Sequence, residues 1–251
     1  MATLSGKHAL ITGGGTGIGA AIARALAAEG AAVSLAGRRR EPLEQTAKDL
    51  PKAVAITADV TDPASCAAMV KEARAAHGPL DIVIANAGAA ESAPAGKTAP
   101  ELWQRMIAVN LTGAFQTVQA ALGDVTRSGA NGRIVFVAST AGLRGYPYVT
   151  AYCAAKHGVV GLARALAAEL KGVTVNAVCP GFTDTPLLAQ SVTSITAKTG
   201  RSANDARAAL AQENPSGRLI MPEEVAAKVL WLCTSQAAGV NGQAIEIGVA
   251  A

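Results

Sequence analysis

The chain has 251 residues, of which 50% are hydrophobic, 16% charged and 3% aromatic, and its formal net charge is +4. This composition is typical of a globular protein with a large core and argues against intrinsic disorder. Basic residues form no run longer than 38–40 and are not interleaved with aromatic residues, so a nucleic-acid surface is not expected.

Short apolar runs alternate with longer amphipathic segments along the whole chain. Seven runs predict β-strands at 7–12, 32–36, 53–57, 80–85, 132–138, 172–178 and 244–247. Helical periodicity and capping residues predict helices at 17–29, 41–50, 62–76, 99–110 with a continuation through 122, 150–170 and 222–234. This alternation predicts an α/β fold, a Rossmann-type doubly wound parallel sheet with helices on both faces.

No linker rich in proline and glycine divides this series, so we expect a single domain over 1–251. The connection 181–221 is the longest one without a predicted strand. Ligands bind beyond the carboxyl ends of strands in open α/β sheets, and a long loop there is commonly a lid. We therefore predict a substrate-binding lid at 181–221, with an elaborated surface helix pair as the alternative.

The cysteines, the histidines and the N-terminus show no pattern of a metal site, a disulfide framework or a targeting signal. Four cysteines and three histidines are scattered without metal-ligand spacing, so neither a metal site nor a disulfide framework is expected. The N-terminus lacks a charged leader followed by an apolar run, and no segment reaches the ~18 uncharged apolar residues of a membrane span. We expect a cytoplasmic protein without a membrane segment.

A glycine-rich turn, TGGGTGIG at 12–19, follows the first predicted strand. Glycine lets the backbone approach a pyrophosphate closely, and the N-terminus of the next helix offers free N–H groups and a positive dipole end. The residues predicted to bind a dinucleotide here are Gly13, Gly15, Thr16, Gly17, Ile18 and Gly19. Ile18 stands where the common GxGxxG pattern, begun at Gly13, requires glycine, so the turn is a variant of that motif.

Tyr152 and Lys156 lie four positions apart near the start of an alanine-rich helix, and therefore on one helix face. An ammonium close to a phenol favours the phenolate, so we expect Lys156 to lower the pKa of Tyr152 and make it a usable proton donor or acceptor. Taken alone, the same spacing is much more often that of an ordinary surface pair.

The order of these and further motifs resembles the short-chain dehydrogenase/reductase family in its single-domain form. The matching positions are the glycine-rich turn, Asp59, Asn86 to Gly88, Asn110 to Gly113, Ser139, Tyr152 with Lys156, and Pro180 with Gly181. The resemblance covers essentially the entire chain. It implies an NAD(P)(H)-dependent oxidoreductase that interconverts a ketone and a secondary alcohol by hydride transfer.

The resemblance implies a role for each of four catalytic residues. Tyr152 would be the general acid or base, and Lys156 would depress its pKa and hold the nicotinamide ribose. Ser139 would polarise the substrate carbonyl, and Asn110 would hold a water that relays protons. Without the other motifs, Ser139 could equally be a turn residue and Asn110 a helix cap.

The resemblance also implies the remaining cofactor contacts. Asp59 and Val60 would lie at the adenine, Asn86 would steady the central strand and line the ribose, and Thr183 would bond the carboxamide. The full predicted set beyond the glycine-rich turn is Arg38, Arg39, Asp59, Val60, Asn86, Ala87, Gly88, Tyr152, Lys156, Pro180, Gly181 and Thr183.

The end of the second predicted strand distinguishes the two nicotinamide cofactors. An acidic residue there would bind the 2′-hydroxyl of NAD, but this chain has Gly37, followed by Arg38 and Arg39. Guanidinium groups match a phosphate well. We therefore predict NADP(H) as the preferred cofactor, with NAD(H) as the alternative.

The sequence around Tyr152 and at 175–181 looks closest to family members that act on 3-oxoacyl or 3-hydroxyacyl chains. A small carbonyl or alcohol substrate, such as an acyl thioester, is therefore expected. The predicted substrate pocket consists of Ser139, Ala141, Leu143, Tyr146, Tyr152, Phe182, Leu187 and Leu188. Arg144 at one edge is the expected partner of a substrate carboxylate or pantetheine phosphate, although these side chains could equally serve a subunit contact.

Two departures from the family pattern and three alternatives remain open. Ala85 stands where the family usually has a first asparagine, and the C-terminus 246–251 lacks the Asp-Gly-Gly of many members. Because that segment often packs between subunits, a homotetramer, or a homodimer, is expected without its details. The alternatives are a non-catalytic dinucleotide-binding regulator, a dehydrogenase of simple ketones and secondary alcohols, and a lyase or epimerase on the same scaffold.

Overall fold

The computed structural model describes residues 3–248, so residues 1–2 and 249–251 of the predicted domain lie outside the described residues. Within this range the strands are β1 (His8–Thr12), β2 (Ala32–Gly37), β3 (Ala53–Thr57), β4 (Ile82–Ala85), β5 (Arg133–Val137), β6 (Thr174–Pro180) and β7 (Ala244–Ile247). They form one parallel sheet in the order β3-β2-β1-β4-β5-β6-β7. The predicted doubly wound sheet is confirmed.

The helices that connect the strands lie on both faces of the sheet. They are α1 (Gly17–Ala28), α2 (Arg40–Lys48), α3 (Pro63–His77), α4 (Pro100–Ile107), α5 (Gly113–Arg127), α6 (Thr150–Glu169), α7 (Pro186–Thr199), α8 (Ala203–Gln212) and α9 (Pro222–Cys233). A π-helical turn, Ala108–Thr112, joins α4 to α5. Across residues 3–248, none of the helices has both the length and the apolarity that a membrane crossing requires.

Several predicted boundaries differ by a few residues from those of the structure, and two of the differences have a local physical cause. The sixth strand, predicted at 172–178, begins two residues later, because Gly172 adopts φ 83° in the left-handed region and turns the chain before the strand. The helix predicted to end near 122 continues to Arg127, since buried Ala121 and Val125 extend its apolar stripe.

Alternate side chains of each strand enter separate apolar layers. Leu10 and Phe136 pack with α3, α5 and α6 on one face, whereas Ile11 and Val135 pack with α1, α2 and α9 on the other. Strand side chains alternate between faces, so a sheet covered on both sides requires apolar residues at nearly every strand position. This requirement explains the continuous apolar runs from which the strands were predicted.

The segment 181–221 contains α7 and α8, and its two ends meet at a β-bridge between Thr183 and Ile220. Asn214 joins the same two ends through its side chain, whose Nδ2 donates to Phe182 O at 2.8 Å and to Arg218 O at 2.7 Å. The helix pair is therefore fastened at its base to the end of β6.

A buried histidine, His8, lies at the opposite edge of the sheet, where the strands begin. His8 is 2% exposed, its Nδ1 donates to Gly78 O at 2.9 Å, and its Nε2 accepts from Ser34 Oγ at 2.8 Å. The His77 ring lies edge to face at 5.2 Å. Burial lowers the pKa of His8, and burial together with the charge of Lys52 lowers the pKa of His77.

We expect the free energy of unfolding to fall between about pH 7.5 and about pH 5.5 because of these two rings. Their folded pKa values lie below the unfolded value of 6.5, so the unfolded state binds more protons and stability is lost as the pH falls. Urea unfolding at both pH values measures the loss. The double variant His8→Gln/His77→Gln should show a flatter dependence, whereas His157→Gln, at an exposed position, should not. An unchanged slope in the double variant would contradict this assignment.

Candidate active site

A cleft of about 170 Å³ opens beyond the carboxyl ends of β1, β4 and β5. Strand order reverses between β1 and β4, which is where ligands bind in doubly wound folds. Its lining residues are Gly13, Thr16, Gly17, Ile18, Asn86, Gly88, Ala89, Asn110, Val137, Ala138, Tyr152, Lys156, Thr185, Pro186 and Leu187. The structure thus brings the predicted glycine-rich turn together with Asn110, Tyr152 and Lys156.

The glycine-rich turn has a backbone that other residues cannot adopt freely. Gly13 and Gly17 have φ angles of 69° and 53°, in the left-handed region. A Cβ at Gly13 would lie 2.7 Å from Asn86 Nδ2, and one at Gly15 would lie 2.9 Å from Leu43 N on α2. The turn is therefore packed on both sides and presents its backbone at the start of α1.

Thr12 and Asn86 join the ends of β1 and β4 through four hydrogen bonds. The backbone N–H groups of Asn86 and Ala87 both donate to Thr12 Oγ1 at 3.1 Å. In return, Asn86 Nδ2 donates to Thr12 O at 2.8 Å and to Gly13 O at 3.3 Å. The side chain of Asn86 is thus committed to the backbone of the turn, in agreement with its predicted role of steadying the central strand.

Lys156 is 5% exposed, and its Nζ donates to Val137 O at 2.9 Å while lying 5.6 Å from the centre of the Tyr152 ring. Burial lowers the pKa of Lys156 to about 8. The prediction that Lys156 lowers the pKa of Tyr152 was wrong for the protein without a bound cofactor. Burial raises the pKa of Tyr152 to about 12, and the Ser139 side chain only partly opposes this effect. The physical reason is that desolvation penalises the phenolate while the ammonium lies over the ring.

Ser139 begins a 3₁₀ turn, Thr140–Gly142, directly after β5. Its Oγ accepts a hydrogen bond from Ala141 N at 3.1 Å, which fixes the hydroxyl at the end of the strand. Because the Ser139 side chain influences the pKa of Tyr152, the two hydroxyl groups belong to one site.

Asn110 lies in the π-helical turn and is 1% exposed. Its Nδ2 donates to Ala89 O at 2.9 Å and to Met106 O at 3.0 Å, and its Oδ1 accepts from Ala89 N at 3.2 Å. A Cβ at Gly88 would lie 2.8 Å from Asn110 Oδ1 and 3.8 Å from Lys156 Nζ. Because Gly88 has no side chain, the space between the Asn110 amide and the Lys156 ammonium remains open. π-Turns are frequently found at functional sites, where they redirect one side chain.

The predicted adenine and 2′-phosphate contacts lie at the ends of β2 and β3. Asp59 Oδ1 accepts from Thr61 N at 2.9 Å and from Thr61 Oγ1 at 2.8 Å, and these bonds together with the charge of Arg38 lower its pKa. Arg38 and Arg39 are exposed beyond Gly37. Val60 is 7% exposed and packs against α5.

Two of the predicted pocket residues, Tyr152 and Leu187, line the cleft. Leu187 lines the cleft, and Leu188, the next residue of α7, is buried. Ala141 is buried and Leu143 packs against the apolar core. The rings of Tyr146 and Phe182 lie edge to face at 5.8 Å.

Arg144 is not available as the expected partner of a substrate anion. Its Nη1 donates to Glu246 Oε1 at 2.9 Å, and its Nε donates to Tyr146 Oη at 3.1 Å. Tyr146 Oη in turn donates to Thr140 Oγ1 at 2.9 Å. The guanidinium charge is thus neutralised by a carboxylate of β7, which the sequence does not place beside it.

Comparison with known proteins identifies the family. Residues 7–195 match the short chain dehydrogenase family. The chain belongs to this family. It is 38% identical to a putative ketoacyl reductase of Streptomyces coelicolor over 98% of this chain and 97% of that protein. It is 37% identical to a D-beta-hydroxybutyrate dehydrogenase of Cupriavidus necator over 95% of each chain.

A solved structure agrees with this assignment. A variant of actinorhodin polyketide ketoreductase, crystallised with NADPH, matches at a TM-score of 0.92 with 38% identity, over 98% of this chain and 97% of that one. The short chain dehydrogenase described here is therefore an NAD(P)-dependent oxidoreductase that interconverts a ketone and a secondary alcohol, as predicted. The alternative of a non-catalytic regulator finds no support in these relatives.

Several residues of this short chain dehydrogenase were missed from the sequence, among them Thr185 and Pro186 in the cleft and Asn214 at the base of the helix pair. Thr185 and Pro186 line the cleft, and Thr185 Oγ1 caps α7 by accepting from Leu188 N at 3.3 Å. The Thr-Pro pair at 185–186 is a helix-start signal that could have located them. Asn214 is 4% exposed and its Oδ1 accepts from Phe182 N at 2.9 Å. The Asn-Pro pair at 214–215 indicates a turn, but no local pattern connects it to Phe182.

We expect Asn214→Ala to lower the free energy of unfolding by about 2 kcal/mol, because it removes the three hydrogen bonds of the Asn214 side chain to Phe182 N, Phe182 O and Arg218 O. Urea unfolding measures this loss. Asn204→Ala, at an exposed position of α8, is the matched control and should change stability little. Equal stability of the two variants would show that Asn214 does not hold the base of the helix pair.

Proposed function

We propose that the protein is an NADP(H)-dependent reductase of 3-oxoacyl substrates, with Tyr152 as the proton donor. The observation that carries the proposal is the joint position of Tyr152, Lys156 and Asn110 in one cleft with the glycine-rich turn. The names of the Streptomyces relative and of the actinorhodin structure support the substrate class.

The cleft fits a dinucleotide on its own geometry. Gly13, Gly17 and Gly88 each stand where a side chain would close the groove or strain the backbone. The start of α1 offers backbone N–H groups to the pyrophosphate. When bound, the nicotinamide cofactor supplies the hydride for the reduction.

The chain's own residues supply the proton and orient the carbonyl. Because the pKa of Tyr152 is about 12, its phenol remains protonated at neutral pH and can donate to the carbonyl oxygen. Ser139 would donate a hydrogen bond to the same oxygen and stabilise the charge that develops there. Lys156, whose pKa is about 8, can replace the proton of Tyr152, and Asn110 would hold a water that connects Lys156 with solvent.

The end of β2 supports the proposed preference for NADP(H). Gly37 provides no carboxylate for a ribose hydroxyl, and the guanidinium groups of Arg38 and Arg39 are exposed directly after it. Arg40, the third arginine of the run, is held by Glu44, since its Nε donates to Glu44 Oε1 at 2.6 Å. Only the first two arginines are therefore offered to a 2′-phosphate.

We expect Arg38→Ala and Arg39→Ala each to lower kcat/KM for NADPH about tenfold and to leave kcat/KM for NADH nearly unchanged, because each removes a charge-assisted bond to the phosphate. Steady-state kinetics with both cofactors measures the ratio. Arg40→Ala is the matched control and should preserve it. A wild-type enzyme that prefers NADH would refute the cofactor assignment.

Tyr152→Phe should reduce turnover at least about 100-fold, because the proton donor is lost while the ring remains. The dissociation constant of NADPH, measured by fluorescence titration, should change little. Tyr148→Phe is the matched control, since Tyr148 is 64% exposed and lies four residues before Tyr152. If Tyr152→Phe retained turnover, another group would have to be the proton donor.

A further inference from the structure

The position of Ser139 depends on the 3₁₀ turn that follows it, Thr140–Gly142. The N–H of Gly142 donates to Ser139 O at 2.8 Å. The turn packs directly against α6, because a Cβ at Gly142 would lie 2.6 Å from Lys156 O. A shift of the turn would therefore move Ser139 relative to the helix that carries Tyr152 and Lys156.

The ring of Tyr146 makes a second contact with this turn. Its Oη donates to Thr140 Oγ1 at 2.9 Å, and Thr140 is 3% exposed. The same ring lies edge to face with Phe182 at 5.8 Å, two residues beyond the end of β6. Tyr146 thus joins the turn after β5 to the segment after β6.

Arg144 connects the Tyr146 ring to the last strand of the sheet. Its Nε donates to Tyr146 Oη at 3.1 Å, and its guanidinium carbon lies 5.6 Å from the centre of that ring. Its Nη1 donates to Glu246 Oε1 at 2.9 Å, across 102 positions of the chain. Arg144, Tyr146 and Glu246 together form what we call the loop anchor, which links the 3₁₀ turn to β7.

The loop anchor stands apart from the cleft itself. Of the residues that line the cleft within 3–248, none belongs to the anchor. The side chains of Arg144 and Glu246 are 43% and 24% exposed, and an ion pair in such a position contributes little to the free energy of folding. Its effect is geometric instead, because the pair fixes the Tyr146 hydroxyl that holds Thr140.

We propose that the loop anchor positions Ser139 against Tyr152, which makes Glu246 a positioning residue for the ketone reaction. The inference rests on the role of Ser139 under the proposed function and extends it to a strand outside the cleft. It holds for any ketone substrate, because each requires the same placement of the serine hydroxyl beside the tyrosine.

Glu246→Ala should lower kcat about threefold, the effect of losing one exposed charge-assisted contact. The dissociation constant of NADPH should stay the same, since the glycine-rich turn is held by separate hydrogen bonds from Asn86. Turnover of the best ketone from a panel of 3-oxo esters and simple ketones measures kcat. Glu246→Gln should retain most of the wild-type kcat, because its Oε1 still accepts from Arg144. Glu223→Ala, at an exposed position of α9, is the matched control.

The same change in a Ser139→Ala background separates positioning from general stabilisation. Ser139→Ala removes the hydroxyl that the anchor positions, so Glu246→Ala should then lower kcat no further. A further threefold loss in this background would overturn the proposal, as would a wild-type kcat in Glu246→Ala alone. Full turnover in Ser139→Ala would refute the role of Ser139 and the positioning proposal with it. A wild-type enzyme that reduces only simple ketones would refute the 3-oxoacyl assignment but leave this test intact.

Discussion

The site depends on the hydrogen bonds that join the carboxyl ends of β1 and β4. At the point where the strand order reverses, the connections that follow the two neighbouring strands leave toward opposite faces of the sheet, and this opens the crevice. Thr12 and Asn86 hold that crevice at a fixed width through the backbone of the glycine-rich turn. Because Asn86 fills the space beneath Gly13, the turn cannot collapse onto the sheet. The groove at the glycine-rich turn and the residues proposed for catalysis are therefore held in place by the same hydrogen bonds.

Burial determines the protonation chemistry more strongly than the spacing of charges. Tyr152 and Lys156 lie four residues apart, which brings their side chains together but leaves the lysine bound to Val137 O. Low solvation then disfavours the charged form of each group, so the phenol becomes a weaker acid and the ammonium a stronger one. Burial therefore favours the neutral phenol of Tyr152 and the neutral amine of Lys156. The spacing of the two residues alone does not reveal this property.

Much of the fold was predictable because it depends on local patterns. A sheet covered on both faces requires apolar strands, and glycine-rich turns and helix caps mark their ends. The proposed catalytic set was recognisable because its members stand in local motifs: Ser139 directly follows a strand, and Tyr152 and Lys156 lie on one helix. Contacts between distant segments were not predictable. No local sequence pattern indicates that Arg144 pairs with Glu246. The same is true of the hydrogen bonds between Asn214 and Phe182.

The π-helical turn at Asn110 has a consequence for how this enzyme can change. A π-turn contains one residue more than the α-helical turn it replaces, and it is less favourable than a regular helix. Deletion of one residue between α4 and α5 would allow a continuous helix but would rotate the asparagine away from Ala89 and Lys156. If Asn110 has the proposed role, selection for thermal stability and selection for turnover act in opposite directions on this segment. Stabilised variants of the protein are more safely sought on the outer faces of the helices than at this junction.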